Sequence, residues 1–240
     1  MINEKWIGLT YTDTGLIRSQ NEDSVLEKNS EQLWAVADGM GGHMAGDYAS
    51  QHVLENLSGY ENAAQTGTSL ARHDNAVRIS NAHLVEKALS EQVDIIGCTL
   101  ATLIIDKQWA VCSWSGDSRI YRLRHGELKL LTHDHSQQSD YDDRNLLLYS
   151  DVAKTDSQVL TAAIGGEDAA YLERAWYGTD DDDSYLLCTD GLYKEASDIE
   201  IEHLMKTTTT ASDALHKLVA VYRERGARDN VGLVYVSQHC

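Results

Sequence analysis

Four aspartates share one setting in this sequence, because each lies at the edge of an apolar, strand-like run. They are Asp38, Asp117, Asp190 and Asp229. The first follows the run 33–37 and precedes three glycines and His43. A buried strand would deliver such an aspartate rigidly to a sheet edge, and glycines let the backbone bend and approach a ligand closely. Carboxylates gathered from distant strands repel one another unless cations hold them together, so the pattern predicts a metal site.

Three well-known catalytic or phosphate-binding motifs do not match this sequence in residue type or spacing. The segment 41–46 has the G-x-x-x-x-G spacing of a nucleotide-binding P-loop, but Asp47 stands where that loop needs a lysine. Six residues separate Cys112 from Arg119, one too many for a cysteine-based phosphatase loop, and the sequence has no G-x-S-x-G nucleophile motif. Hard cations such as Mg²⁺ and Mn²⁺ take oxygen ligands, and a pair of them activates a water and binds phosphoryl oxygens. Any single aspartate could instead be a turn residue, since Asp-Gly is common in turns.

Charge and composition exclude several classes of protein. The 240 residues carry a formal net charge of −18, which argues against a nucleic-acid partner because such proteins need a basic face. The sequence has no apolar run long enough to cross a membrane, and its first residues lack the build of a signal peptide, so we expect a cytoplasmic protein. Four cysteines without a C-x-x-C pair indicate reduced thiols, mostly buried, which suits the same compartment.

Apolar periodicity predicts groups of strands alternating with pairs of helices. Strands are expected at 6–12, 24–28, 33–37, 97–105, 109–114, 119–124, 128–132, 171–177, 185–189 and 231–236, and helices at 46–57, 68–92, 198–206 and 211–225. The apolar stripe of the helix at 68–92 begins at Leu70 and ends at Leu89. This order suits antiparallel sheets with helices packed outside, an α+β architecture. We expect one domain over 1–240, with an exposed turn at 180–183.

Eight short blocks, spread over nearly the whole chain, carry a more specific signal. In order they are G-x-x-R-x-x-N-E-D at 15–23, A-D-G-M-G-G-H at 37–43, G-C-T-L at 97–100, G-D-S-R-x-Y at 116–121, L-T-x-D-H-S at 131–136, L-T-x-A-I-G at 160–165, L-C-T-D-G-L at 187–192 and D-N at 229–230. Together they resemble the PPM (type 2C) family of metal-dependent serine/threonine protein phosphatases, bacterial branch. The resemblance implies a four-layer αββα sandwich, in which two antiparallel β-sheets are flanked by pairs of helices.

The resemblance also implies which residues hold metal ions. Asp38 would bridge two ions, either Mn²⁺ or Mg²⁺. Asp190 and Asp229 would complete the ligands of the first ion. The carbonyl of Gly39 would bind the second ion, and Glu22 would bind it directly or through a water. These assignments follow from matching positions in the family's blocks, residue by residue.

Further roles are implied around this pair of ions. Asp117 together with Asp190 would hold a weaker third ion, and Asp23 would support the ligands or a bound water from behind. Arg18 would bind the substrate phosphate, for which a guanidinium fork is well suited. Asn230 would orient the neighbouring Asp229 or a bound water. His43 has two open roles, either protonating the leaving oxygen or hydrogen-bonding to backbone.

Other parts of the chain are expected to differ from the usual family pattern or to vary. The segment 135–158 corresponds to the family's variable flap beside the site. His133 and His135 are expected in surface or capping roles, with proton donation to the leaving group as the other option. Gly232 stands in the last predicted strand, which a glycine would weaken. Cys98 replaces the more usual threonine and is expected to be a core residue.

The function implied is hydrolysis of phosphoserine and phosphothreonine on proteins by direct attack of a metal-bridging water. The partners would be phosphorylated targets of a serine/threonine kinase. Two alternatives stay open: a catalytically inactive binding module with the phosphatase fold, and a two-metal hydrolase of small phosphate esters. All of the acids that the resemblance requires are present in the sequence, which favours an active enzyme.

Overall fold

The computed structural model describes residues 6–41, 45–136 and 160–238. Within these ranges the chain forms eleven strands, five α-helices and a 3-10 helix at Asn29–Glu31. The strands are β1 (Ile7–Asp13), β2 (Asp23–Lys28), β3 (Leu33–Gly41), β4 (Ile96–Cys98), β5 (Leu100–Asp106), β6 (Trp109–Ser115), β7 (Arg119–Arg124), β8 (Glu127–Leu130), β9 (Glu173–Gly178), β10 (Ser184–Cys188) and β11 (Val231–Ser237). The helices are α1 (Ala45–Ser58), α2 (Thr66–Glu91), α3 (Asp190–Tyr193), α4 (Asp198–Lys206) and α5 (Ala211–Glu224). Of the helices in the described ranges, none combines the length and apolar character that a membrane span requires.

The strands form two antiparallel sheets. The first sheet has the order β1-β11-β10-β7-β8. The second has the order β2-β3-β5-β6-β9, and the short β4 pairs with the end of β3. Helices α4 and α5 pack on the outer face of the first sheet, and α1 and α2 pack on the outer face of the second. The predicted α+β fold, with two antiparallel sheets between pairs of helices, is confirmed.

Alternating side chains on the central strands divide the core into three apolar layers, because successive residues of a strand face opposite sides of its sheet. On β10, Tyr185 and Leu187 lie between the two sheets, whereas Leu186 and Cys188 pack under α4 and α5. On β3, Trp34 likewise lies between the sheets. Each central strand is therefore buried on both faces, which explains why it reads as a continuous apolar run.

Some predicted elements differ from the structure in informative ways. The strand expected at 97–105 is two strands, β4 and β5, separated at Thr99. The short helix α3 directly after β10 was not predicted. Leu89 was assigned to the buried stripe of α2, but it is 74% exposed. The assignment is wrong because each helical residue rotates by roughly 100°, so the residue after the buried Ala88 faces solvent.

Gly232 was expected to weaken the last strand, but packing between the sheets gives it a role. A Cβ at this position would lie 3.2 Å from Cγ1 of Val25 and 3.3 Å from Cγ2 of Thr189. The N–H of Gly232 donates to Oγ1 of Thr189 at 2.8 Å. The absence of a side chain therefore lets β11 approach β2 closely beside Asp23, the first residue of β2.

A buried histidine fastens α2 to the second sheet. His73 has no exposed surface, and its Nε2 lies 3.1 Å from Oγ1 of Thr102 on β5. Its Nδ1 lies 3.0 Å from Oδ1 of Asp74, which accepts a 3.2 Å hydrogen bond at its other oxygen from Arg174 of β9. Burial lowers the pKa of His73 below its ordinary value of 6.5. The imidazole is therefore held in its neutral form at neutral pH.

Acid should destabilise the protein through His73. Because the pKa of this residue is lower in the folded than in the unfolded chain, the unfolded state takes up the proton first as the pH falls below 6.5. From about pH 7.5 to about pH 5.5 we expect the wild type to lose on the order of 1 kcal/mol more free energy of unfolding than His73→Gln. Urea unfolding of both proteins at each pH measures the difference. Parallel pH curves for the two proteins would contradict the assignment.

Candidate metal centre

The two sheets bring the predicted acids to one end of the sandwich. In the second sheet, Asp23 of β2 lies directly opposite Asp38 of β3. In the first sheet, Cys188 at the end of β10 pairs with both Arg119 at the start of β7 and Leu233 of β11. The connections at this end carry the other acids: Asp117, Asp190 and Asp229. The antiparallel register thus explains how residues far apart in sequence meet.

Thr99, at the break between β4 and β5, holds the backbone of Asp38. The N–H of Asp38 donates to Oγ1 of Thr99 at 2.9 Å, and the carbonyl of Asp38 accepts from the N–H of Thr99 at 2.8 Å. The same hydroxyl lies 2.7 Å from Oγ of Ser118, the residue after Asp117. One threonine therefore links the central aspartate of the second sheet to an acidic loop of the first.

The glycine after Asp38 allows a close approach between β3 and α1. A Cβ on Gly39 would lie 1.9 Å from the carbonyl oxygen of Gly46, and a Cβ on Gly46 would lie 2.4 Å from Oε1 of Glu22. The N–H of Gly39 donates to the carbonyl of Glu22 at 3.0 Å. Burial, followed by the charge of Asp47, raises the pKa of Glu22. Glu22 is thus packed beside the backbone of Gly39, as the predicted ligand pair requires.

Asp23 lies behind the other acids and is buried. Its Oδ2 accepts a 2.6 Å hydrogen bond from the hydroxyl of Thr189, the residue before Asp190. Burial raises the pKa of Asp23 to about 8 against the effect of that hydrogen bond, and the charges of Asp190 and Asp229 contribute to the rise. The high pKa of Asp23 therefore comes first from burial and second from the negative charges nearby.

The same repulsion acts on the acids in front of Asp23. Burial raises the pKa of Asp38 well above its ordinary value, and four neighbouring carboxylates raise it further: Asp23, Asp190, Asp117 and Asp229. Burial and the charge of Asp190 raise the pKa of Asp117 to about 6. Carboxylates that raise one another's pKa in this way suit a hard divalent cation, which takes oxygen ligands. The residues present therefore fit Mn²⁺ or Mg²⁺.

Two basic side chains face these acids. The guanidinium of Arg18 makes a two-point contact with Asp229, at 2.9 Å from Nε and 3.0 Å from Nη2. Lys194, one helical turn after Asp190, forms an ion pair with that carboxylate. Arg18 is 54% exposed, so its guanidinium stays accessible from solvent. Two basic groups do not balance the six acids gathered at this end of the sandwich.

Asn230 acts mainly on the loop before β2. Its Nδ2 donates to the carbonyls of Thr14 and Gln20 at 2.8 Å each, and its Oδ1 accepts from the N–H of Glu22 at 2.9 Å. Only its backbone N–H contacts the carboxylate of Asp229, at 3.0 Å. The expected orienting role is thus carried by the backbone, while the side chain fixes the loop that carries Arg18 and Glu22.

Two predicted features lie mostly or wholly outside the described residues. His43 is one of them, and the flap at 135–158 is the other, apart from its first two residues. Within the described part, a surface position for His135 is wrong: this side chain is 5% exposed and contacts the backbone N–H of Gly116 and the carboxylate of Glu173. The sequence did offer one indication of a role near Asp117: His135 lies in the L-T-x-D-H-S block, which follows the block that contains Asp117.

The acidic run 180–183 is only partly the exposed turn that was expected. Asp183 is buried because it accepts hydrogen bonds from Arg124, at 2.6 Å from Nε and 2.7 Å from Nη2. The exposed acids Asp180 and Asp182 have carboxylate oxygens within 4.8 Å of a ring nitrogen of His125. This group lies before β10 and after β7, at the opposite end of the first sheet from Asp190. It is separate from the candidate metal centre.

Known proteins with similar sequences support the resemblance. The family model "Protein phosphatase 2C" matches residues 18–231. The serine/threonine protein phosphatase PstP of Mycobacterium tuberculosis is 33% identical over 93% of this chain, which spans 43% of that relative's length. The serine/threonine phosphatase stp of Listeria welshimeri is 31% identical, with 95% of this chain and 94% of the relative covered.

Solved structures agree with the fold over nearly the whole chain. The structure described as PppA, a key regulatory component of T6SS in Pseudomonas aeruginosa, has a TM-score of 0.89 at 31% identity, covering 97% of both chains. The catalytic domain of PstP in complex with two manganese ions has a TM-score of 0.85 at 30% identity, covering 97% of this chain and 98% of that one. With these matches and the acids at one end of the sandwich, the chain belongs to the protein phosphatase 2C family.

Proposed function

We propose that this chain is a metal-dependent protein phosphatase that hydrolyses phosphoserine and phosphothreonine on proteins. The observation that carries the proposal is the group of mutually repelling carboxylates that both sheets contribute around Asp38. The relatives named as serine/threonine phosphatases support the same reaction, and the manganese complex of the PstP catalytic domain supports Mn²⁺ as a cofactor.

The ions would be held by ligands from both sheets. Two Mn²⁺ or Mg²⁺ ions would bind Asp38, the carbonyl of Gly39, Glu22, Asp190 and Asp229, and a weaker third ion would bind Asp117 with Asp190. When bound, such ions supply an activated water as nucleophile and neutralise charge on the phosphoryl oxygens. The protein keeps the donors in place before binding, through Thr99 for Asp38 and Asn230 for Glu22. Asp23 supports the site from behind through Thr189.

Arg18 would bind and orient the phosphate. Its loop is fastened by Asn230 and by the N–H of Leu16, which donates to the carbonyl of Ala227 at 2.8 Å. The backbone that carries Arg18 is therefore restrained. Its guanidinium can bind two phosphate oxygens in place of the carboxylate of Asp229. The phosphate would then meet positive charge at the mouth of an otherwise acidic site.

The rim of the site favours a protein substrate over a small ester. Leu16 and Ile17, directly before Arg18, are 78% and 69% exposed although the backbone of their loop is fastened. Two adjacent aliphatic side chains exposed beside Arg18 are suited to contact apolar residues of a partner. A small phosphate ester would reach Arg18 without touching them. Phosphoproteins that are targets of a serine/threonine kinase are the substrates we propose, in the cytoplasm.

The remaining roles extend the same proposal. Residues 1–240 would form one phosphatase domain, with the segment 135–158 as a variable flap beside the metal centre. His43 would either protonate the leaving oxygen or hydrogen-bond to backbone. The alternative of an inactive binding module is disfavoured because each acid expected of an active enzyme is present and lies at the same end of the sandwich.

Turnover should depend on metal and on Asp38. With Mn²⁺ we expect release of phosphate from phosphoserine and phosphothreonine peptides, and none in EDTA. Asp38→Asn should lower kcat by more than about a hundredfold because a shared ligand is weakened, whereas the exposed control Asp181→Asn should leave kcat unchanged. A phosphate-release assay measures both. Activity that persists in EDTA would contradict the proposal, and turnover of small esters without any phosphopeptide would point to the ester hydrolase.

Removing a carboxylate from the centre should stabilise the metal-free protein. Because burial and neighbouring acids raise the pKa of Asp38 well above its ordinary value of 3.8, the unfolded chain loses this proton first, and the folded chain loses stability as the pH rises above that ordinary value. In EDTA at about pH 8.5 we expect Asp38→Asn to gain about 1–3 kcal/mol in free energy of unfolding, while Mn²⁺ stabilises only the wild type. Urea unfolding of wild type, Asp38→Asn and Asp181→Asn measures these differences. A metal-free Asp38→Asn less stable than wild type would refute the electrostatic origin.

A further inference from the structure

We propose that His135 is a positioning residue for the third ion, because it holds Gly116, the residue directly before Asp117, at both its N–H and its carbonyl. This inference rests on the proposed function, in which Asp117 and Asp190 share that ion. For His135 the sequence alone suggested a surface or capping position, with proton donation to the leaving group as the other option.

His135 binds both polar groups of Gly116. The N–H of Gly116 donates to Nδ1 of His135 at 3.1 Å, and the carbonyl of Gly116 accepts from the N–H of His135 at 3.0 Å. One residue therefore fixes the orientation of the residue directly before Asp117. Backbone torsion at Gly116 can then no longer swing the Asp117 carboxylate away from Asp190.

Gly116 needs such a restraint because its backbone conformation is unusual. Its φ is +98°, in the region that favours glycine, and a Cβ there would lie 2.7 Å from Cγ2 of Thr99. A glycine in this region samples many conformations when it is unrestrained. The two hydrogen bonds from His135 select one of them, so Asp117 is aimed before any ion arrives.

The ring of His135 is itself fixed in position and in tautomer. Since Nδ1 accepts the N–H of Gly116, Nε2 carries the proton and donates to Oε2 of Glu173 on β9 at 2.9 Å. The ring stacks on Trp114 with centroids 6.2 Å apart and meets Tyr171 edge-on at 5.2 Å. The backbone carbonyl of His135 accepts from the N–H of Thr161 at 2.9 Å. Glu173 therefore orients the imidazole that orients Gly116.

Other contacts restrain the far side of Asp117. The carbonyl of Asp117 accepts from the hydroxyl of Tyr193 at 3.2 Å, and the next residue, Ser118, contacts Thr99. Arg119 makes a two-point contact with Asp134, the residue before His135, with Nε–Oδ1 at 3.0 Å and Nη2–Oδ2 at 2.8 Å. The segment 134–135 thus braces the acidic loop on both sides of Asp117, and His135 supplies the contact on its N-terminal side.

Metal binding, rather than turnover, tests the proposal. Calorimetric titration of the metal-free protein with Mn²⁺ should resolve two tighter sites and one weaker site in the wild type. We expect His135→Ala to raise Kd of the weaker site by about tenfold or more, as loss of a ligand's supporting partner does, and to leave the tighter sites within about twofold. His216→Ala, at an exposed position of α5, is the matched control and should behave like the wild type.

Conservative variants separate positioning from general stability. The Oδ1 of an asparagine can take the place of Nδ1 and accept the N–H of Gly116, so His135→Asn should restore most of the weaker affinity, whereas His135→Gln should not. Glu173→Ala, at a partly exposed position, should weaken the same site by about threefold. If the His135 variants do not fold, Glu173→Ala decides alone: an unchanged weaker site overturns the proposal.

The remaining outcomes distinguish failure of this inference from failure of the proposed function. Folded His135→Ala with an unchanged weaker site, or with all sites weakened equally, overturns the positioning role. A wild type with two Mn²⁺ sites and no weaker one also overturns it while leaving the phosphatase intact. A wild type that binds no Mn²⁺ at all contradicts the proposed function itself.

Discussion

The main physical constraint on this structure is that it buries several carboxyl groups close together, where their negative charges repel one another. Asp23 and Asp38 lie opposite each other on the neighbouring strands β2 and β3. The connections of the first sheet add Asp117, Asp190 and Asp229. Burial raises the pKa of Asp23 to about 8 and that of Asp38 well above its ordinary value, and the neighbouring carboxylates raise both further. Folding alone does not favour such a cluster. A divalent cation removes the repulsion, so the binding of ions and the stability of the fold are coupled.

Neutral side chains hold the acids together against that repulsion. Thr99 lies at the break between β4 and β5. Its hydroxyl accepts from the N–H of Asp38, and its own N–H donates to the carbonyl of Asp38. Thr189 binds Asp23, and Asn230 fastens the loop that carries Glu22. These residues carry no charge, so they fix geometry without neutralising the site. In the proposed function, bound ions would neutralise the acids and the accessible guanidinium of Arg18 would bind the substrate phosphate.

Sequence patterns predicted the layers and the acids, and the resemblance named Asp23 and Asn230 beside them, but the supporting contacts of Thr99 and His135 were missed. Continuous apolar runs identify β10 and β3 because both faces of these strands are buried. Thr99 was absorbed into one long predicted strand, because a side-chain hydrogen bond that interrupts a strand leaves no trace in apolar periodicity. His135 was misplaced for a related reason: its partners, Gly116 and Glu173, come from separate elements that meet only in the folded chain. Supports of this kind depend on tertiary contacts.

The most direct test of the central claim is a crystal structure grown with Mn²⁺, with anomalous scattering measured at the manganese edge. We expect two strong anomalous peaks on opposite sides of the Asp38 carboxylate, one also contacting Asp190 and Asp229 and the other contacting the carbonyl of Gly39. Peaks only at the exposed group of His125, Asp180 and Asp182, or none near Asp38, would contradict a bimetal centre.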